Sequence, residues 1–186
     1  MAFSRRHAPL MEEGPLYEYA VAALGRRMRS VAEMKRLLRQ RVEDNELGLA
    51  LVELVVVRLK DRKYLNDSQY AAAFSSYRRD NEKFGRLRVI SELKARGVHG
   101  DVIEKSVGDV YNEVNEEKQA RDHLRRKRLK KPVTQKETAR VFRALVRAGF
   151  RSRTIFTILK KWDVEEEVLT ALETETAEAE TKSDPD

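Results

Sequence analysis

Between Gln119 and Lys161 the chain carries 15 Lys or Arg against 2 Asp or Glu. Guanidinium and ammonium groups at that density bind polyanions, because phosphates or carboxylates neutralise them and nucleic acid also releases its condensed counterions. Arg125, Arg126, Lys127, Arg128, Lys130 and Lys131 form one run. Arg140, Arg143, Arg147, Arg151 and Arg153 recur at spacings of two to four residues, so on helices they share part of one surface. A third set, Arg78, Arg79, Lys83, Arg86 and Arg88, flanks Gly85 and either touches a partner or stands solvated. A single basic helix is adequately read as a solubilising face, but the whole segment predicts a polyanionic partner, nucleic acid or an acidic protein face.

Other chemistries lack their residues. His7, His99 and His123 lie far apart without a second His or a carboxylate at metal-pair spacing, and there is no Cys for thiolate ligation or disulfides. Gly85 is followed by Arg86-Leu87-Arg88 rather than the Gly-Lys-Ser/Thr ending that cradles nucleotide phosphates. The serines fall mainly at helix starts, where capping explains them. Glu116-Glu117 and Glu165-Glu166-Glu167 sit in hydrophilic contexts that would raise no carboxyl pKa for acid-base work. The reading is a protein with no active site, no metal and no cofactor.

The elements that must position the cations repeat. Tyr19-Ala20, Tyr70-Ala71 and Gln119-Ala120 open three helices, and Leu38, Leu93 and Leu145 precede three stops, with successive landmarks 49–55 residues apart. One supersecondary unit is therefore stacked three times. In the first unit Tyr17, Ala20, Val21, Leu24 and Met28 form a stripe, and Ser30-Val31-Ala32-Glu33 has the form of a capping box. A helix holding Leu47, Leu51 and the cluster Leu54–Val57 is apolar over more than half its circumference and is expected to be covered on both sides. Asp67 is the expected cap of the fourth helix, whose Tyr70, Ala71, Phe74 and Tyr77 face inward. Leu87, Ile90 and Leu93 define the fifth helix, and Asp101 is the expected cap of the sixth. Gly97 and Gly149 are left-handed stops, Gly85 is read as a backbone stop at a turn, and Thr134-Gln135-Lys136-Glu137 is a second capping box. Trp162, the lone Trp, is expected to cover the end of the last core rather than to stack on a base.

With 41% apolar and 37% charged residues among 186, the apolar set suffices for thin cores, and no apolar run approaches the roughly 20 residues of a membrane helix. A soluble, intracellular protein is expected. The boundaries predicted are a mobile segment 1–14, repeats 15–66, 67–115 and 116–172, and a mobile tail 173–186. From Trp162 onward 10 acidic residues face 1 basic one, so a net charge of +7 hides a cationic third unit followed by an acidic tail that could fold back as a mimic of DNA.

Ala23-Leu24 with Arg27, Ser30, Glu33 and Leu37, then Tyr64-Leu65-Asn66-Asp67 with Tyr70-Ala71, Tyr77-Arg78, Gly85, Arg88, Leu93 and Gly97-Val98, and finally Leu145 with Gly149-Phe150 and Ile155 resemble RecX, the regulatory protein of the RecA recombinase. The resemblance runs from about Tyr17 to Leu172 and is most specific from Leu65 to Gly97. The first unit has no glycine stop at Val42, and the third opens on an unusually basic helix. The resemblance implies an all-α fold of three tandem three-helix repeats forming an elongated, curved array. It further implies a monomeric cytoplasmic protein that lies in the groove of the RecA filament on single-stranded DNA. There it would modulate, mainly inhibiting, recombinase, ATPase and co-protease activities in recombination, DNA repair and the SOS response. The second reading of the residues is a helical protein that binds nucleic acid directly, independently of RecA.

Overall fold

The computed structural model describes residues 10, 12–165, 167–172 and 174. The segments 1–14 and 173–186 expected to be mobile lie, apart from residues 10, 12–14 and 174, outside the described residues, and the folded-back tail lies there too. The described residues are helical, without strands: α1 (Glu13–Arg26), α2 (Val31–Arg39), α3 (Glu46–Asp61), α4 (Asp67–Asp80), α5 (Arg86–Ala95), α6 (Gly100–Tyr111), α7 (Glu116–Arg126), α8 (Gln135–Arg147) and α9 (Ser152–Lys160). A further helical stretch covers residues 167–172. Two compact units share the chain: Met1–Phe74 with Glu92–Ser106, and Ser75–Ser91 with Val107–Asp186.

Helix starts follow local chemistry. Ser30 Oγ accepts from the Glu33 amide at 3.1 Å while the Glu33 carboxylate accepts from the Ser30 amide at 3.2 Å, completing the capping box of α2. Asn45 caps α3 and Asn115 caps α7 singly, each side-chain oxygen accepting from the amide three residues on. At α8 Thr134 accepts from the Glu137 amide, but the Glu137 carboxylate reaches the amide of Val133 instead of Thr134. The cap of α4 is Asn66, which accepts from the Gln69 amide at 3.0 Å. Asp67, expected in that role, instead accepts from the Val31 amide at the start of α2, at 2.8 Å. Asp101 lies inside the first turn of α6, not at its cap.

Five helix ends share one device. Leu59, Leu93, Leu124, Leu145 and Leu159 each accept, through the carbonyl, from the amide five residues on, at 2.9–3.3 Å. Four residues after each Leu the backbone turns left-handed, at Lys63 (φ 59°), Gly97 (74°), Arg128 (55°), Gly149 (84°) and Asp163 (57°). The residue that follows is apolar or aromatic in every case, Tyr64, Val98, Leu129, Phe150 and Val164. Asp163 thus belongs to the stop that follows α9.

The first unit closes over Leu16, Ala20 and Ala23 of α1, Met34 and Leu38 of α2, and Val52, Val55, Val56 and Leu59 of α3. The stripe on α1 is therefore displaced by about one residue from the expected one, and Met28, beyond the end of α1, is 55% exposed. The apolar α3 is covered on one side only: Leu47, Leu54 and Val57 stand 75%, 51% and 52% exposed, because α1 and α2 both pack against its opposite face. Tyr77 and Leu87 are exposed as well, and Val89 takes the inward place expected of Leu87 on α5. The second unit closes over Ala120 and Leu124 of α7, Val141, Phe142 and Leu145 of α8, and Ile155, Ile158 and Leu159 of α9, with Leu169 and Leu172 beside them.

Each unit also holds an end-to-end helix junction. In the first, Ser30 Oγ at the start of α2 donates to the Arg96 carbonyl beyond the end of α5 at 2.6 Å. Arg96 in turn donates to Glu33 at 2.7 Å, and the Tyr70 hydroxyl reaches the same carboxylate at 3.4 Å. In the second, the Gly85 amide donates to the Ala148 carbonyl at 2.8 Å and the Leu87 amide to the Gly149 carbonyl at 3.2 Å. Amides that α5 leaves unbonded at its start thus meet carbonyls that α8 leaves unbonded at its end, positive helix terminus against negative. Gly85 is not among the left-handed glycines. It is a glycine because a Cβ there would overlap the Gly149 carbonyl.

Candidate polyanion interface

The second junction builds a groove of about 430 Å³. On α8, Arg140, Ala144 and Arg147 follow one another at i, i+4 and i+7 and form one wall. The end of α7 supplies His123, Lys127 and Leu129, the last turned in by the left-handed Arg128. Phe84 and Arg88 come from the Gly85 turn, and the close approach of Gly85 to Gly149 brings Arg88 Nη1 to 3.5 Å from the Arg147 carbonyl.

Phe84 is flanked by cations. The guanidinium carbons of Arg78 and Arg88 each stand 5.6 Å from its ring centroid, within cation-π range. The His123 ring lies 5.7 Å from Phe84 and 5.9 Å from Phe150. His123 is buried, with Nδ1 3.2 Å from the Glu82 carbonyl. Only a donor can pair with that carbonyl, so Nδ1 carries the proton. Burial, aided by the charges of Lys127 and Arg126 and opposed by the bond to Glu82, holds its pKa below the ordinary histidine value. The ring is therefore a neutral neighbour of Arg88, Lys127, Arg140 and Arg147.

Among the described residues, no carboxylate lines this groove. Lys127, Arg140 and Arg147 form no ion pair among the described residues, and all three are exposed. Like charges brought this close repel one another, and an anion laid between them relieves the repulsion.

The remaining cations singled out in the sequence are distributed otherwise. Arg79 forks onto Asp80 at 2.7 and 2.9 Å and donates to the Val110 carbonyl, an internal brace. Arg126 pairs with Glu82, Lys131 with Asp163 and Arg125 with Asp122. Lys83 shares a mixed-charge cleft with Asp80, Asp109 and Glu113. Arg86 and Arg151 line another with Asp109 and Glu116. Arg143 and Arg153 are exposed outside the groove. Arg128 and Lys130 line a second groove with Trp162.

Sequence reasoning did not anticipate the aromatic floor of Phe84 and His123, which only the fold assembles. Glu116 and Glu117 also proved structural: Glu116 accepts from the Arg151 amide and the Thr154 hydroxyl, capping α9, and Glu117 accepts from Lys161 and Arg121. Among the described residues no cluster of His, Asp or Glu is arranged to hold a metal ion, and no helix is long and apolar enough to cross a membrane.

Residues 66–107 match the family model for the second three-helix domain of RecX. A regulatory protein RecX from Myxococcus xanthus is 35% identical over 143 residues, covering 70% of this chain and 74% of that protein. The chain belongs to the RecX family. A family member from Deinococcus radiodurans is 32% identical over 146 residues, covering 78% of this chain and 67% of its own length. The fold agrees: the crystal structure of a regulatory protein RecX superposes with a TM-score of 0.67 at 17% identity over 80% of this chain and 73% of that one. RecX from Lactobacillus salivarius gives 0.63 at 17% identity, over 81% and 96%. Of the residues through which the sequence resembles the family, Ser30, Glu33, Asp67 and Tyr70 lie at the first helix junction and Gly85 and Gly149 at the second.

Proposed function

We propose that this chain regulates the RecA recombinase by lying in the groove of the RecA filament on single-stranded DNA, where it mainly inhibits strand exchange, ATP turnover and co-protease action. Its site of action is then the cytoplasm, during recombination, DNA repair and the SOS response. The repeats bounded by residues 15–66, 67–115 and 116–172 present a succession of surfaces to the filament, and the chain acts as a monomer without chemistry of its own. Inhibition requires only preferential binding to one filament state or occlusion of the groove.

The observation that carries this reading, beside family membership, is the convergence of Arg88, Lys127, Arg140 and Arg147 on a groove that no carboxylate lines among the described residues. Such a surface fits an acidic protein face or a phosphate backbone. The test is a titration of RecA ATP turnover on single-stranded DNA. Inhibition at substoichiometric amounts is expected, and unchanged turnover at every dose overturns the proposal.

The half-buried Phe84 ring beside those cations favours a second reading, direct nucleic-acid binding independent of RecA. That reading requires tight DNA binding without RecA, falling steeply with salt. The filament reading requires weak binding of DNA alone.

A further inference from the structure

The loop after α7 separates the Phe84 groove from a second groove of about 480 Å³, and Leu129 lines both. Leu129 and Trp162, over the buried Leu124, give this second groove its apolar surface, and Arg121, Arg125, Arg128 and Lys130 surround them; among the described residues no carboxylate lines it. Arg121 and Arg125 are ion-paired along α7 to Glu117 and Asp122. Arg128 and Lys130 have no ion pair among the described residues. Trp162 packs against the core of the second unit yet remains half-buried, so the indole covers the core as the sequence predicts and also borders the groove. Its place is held on both sides. The left-handed Arg128 and Asp163 fix the two turns, and Lys131 bonds Asp163 at 2.8 Å.

We infer that this groove binds single-stranded nucleic acid, with an unpaired base stacked on Trp162 and the flanking phosphates on Arg128 and Lys130. The inference rests on the proposal that the basic third repeat meets a polyanion, and it names the polyanion and the residue that reads it. An acidic peptide would satisfy the cations but leave the indole face unused. Duplex DNA would satisfy the cations but keep its base faces stacked away. A single strand uses both, because every base offers a π-face and every nucleotide a charge.

Trp162 is the only Trp in the chain, so its fluorescence reports this groove alone. The full chain is titrated at low salt with a fluorescently labelled thymidine oligonucleotide, reading anisotropy for binding and Trp emission for stacking. Duplex DNA of equal length and inorganic polyphosphate serve as comparison anions. The expected result is saturable Trp quenching that tracks binding of the single strand, with much smaller quenching by duplex or polyphosphate even where they bind. Trp162→Phe keeps a ring and most of the affinity, whereas Trp162→Leu keeps the core covered, checked by thermal unfolding, and weakens single-strand binding by about tenfold. Binding by anisotropy with undisturbed Trp emission in the wild type overturns the inference and leaves the polyanion proposal standing. Equal quenching by polyphosphate also overturns it. So does absence of oligonucleotide binding, in which case the filament proposal is judged separately by ATP turnover.

Discussion

Gly85 and Gly149 meet backbone to backbone: a Cβ on Gly85 would overlap the Gly149 carbonyl, and one on Gly149 would overlap the Arg88 amide. This contact lets α8 hand its terminal carbonyls to α5, and it also sets Arg88 beside Arg147 in the groove. Neither glycine has room to yield, because the opposing atoms are main chain. Gly85→Ala or Gly149→Ala should each lower stability by about 3 kcal/mol or more, the second through left-handed strain as well. Gly108→Ala, inside α6 where nothing lies within 4 Å of the added carbon, should raise it by about 0.5–1 kcal/mol. Urea unfolding of the three variants decides the point, and a mild effect at Gly85 would mean the junction is looser than described.

Lys63 holds a left-handed backbone after α3 with φ 59°, where glycine is usual. Lys63→Gly should stabilise the protein by about 0.5–1 kcal/mol, the relief of strain outweighing the added freedom of the unfolded chain. A lowered melting temperature would contradict this.

Ser30 does two jobs in the first unit, accepting from the Glu33 amide and donating to the Arg96 carbonyl at 2.6 Å, and it is fully buried. Ser30→Ala leaves an amide and a carbonyl unsatisfied and should cost about 2 kcal/mol. Ser30→Thr, retaining the hydroxyl, should cost less, and equal losses would deny the hydroxyl its part.

His123 links stability to pH. Burial depresses its folded pKa below the usual value of 6.5, so the folded state resists a proton that the unfolded chain accepts. The contribution is fully present above about pH 6.5 and declines as pH falls from there toward the lower folded value. His123→Phe, which fits the aromatic surroundings and loses the bond to Glu82, should flatten the pH dependence of the unfolding midpoint between about pH 7 and 5. An identical slope in wild type and variant would assign that dependence elsewhere.

The helices and their capping residues were legible in the sequence where the signal is local. Ser30-x-x-Glu33 needs only four residues to specify its box, and Gly97 and Gly149 declare left-handed stops by their lack of a side chain. The identical stops at Lys63, Arg128 and Asp163 were silent, because those residue types adopt the conformation without advertising it. Their one shared trace is a Leu four residues before and an apolar or aromatic residue just after. Asp67 looked like a cap for its own helix, and nothing local reveals that its carboxylate serves Val31, 36 residues earlier. The basic composition of the third repeat pointed to a polyanion, yet the division of its cations into braces such as Arg79 and groove residues such as Arg140 depends on which carboxylates the fold brings near.

The central claim is that placement of the groove cations, rather than net charge, confers regulation. The direct measurement is inhibition of RecA ATP turnover by two variants of equal charge loss, one with Lys127→Gln, Arg140→Gln and Arg147→Gln and the other with Lys118→Gln, Lys136→Gln and Arg153→Gln outside the groove. Loss of three anion contacts at about 1 kcal/mol each predicts that the groove variant needs roughly a hundredfold more protein for half-inhibition. The control variant should stay within a few-fold of wild type. Equal inhibition curves for the two variants would contradict the account.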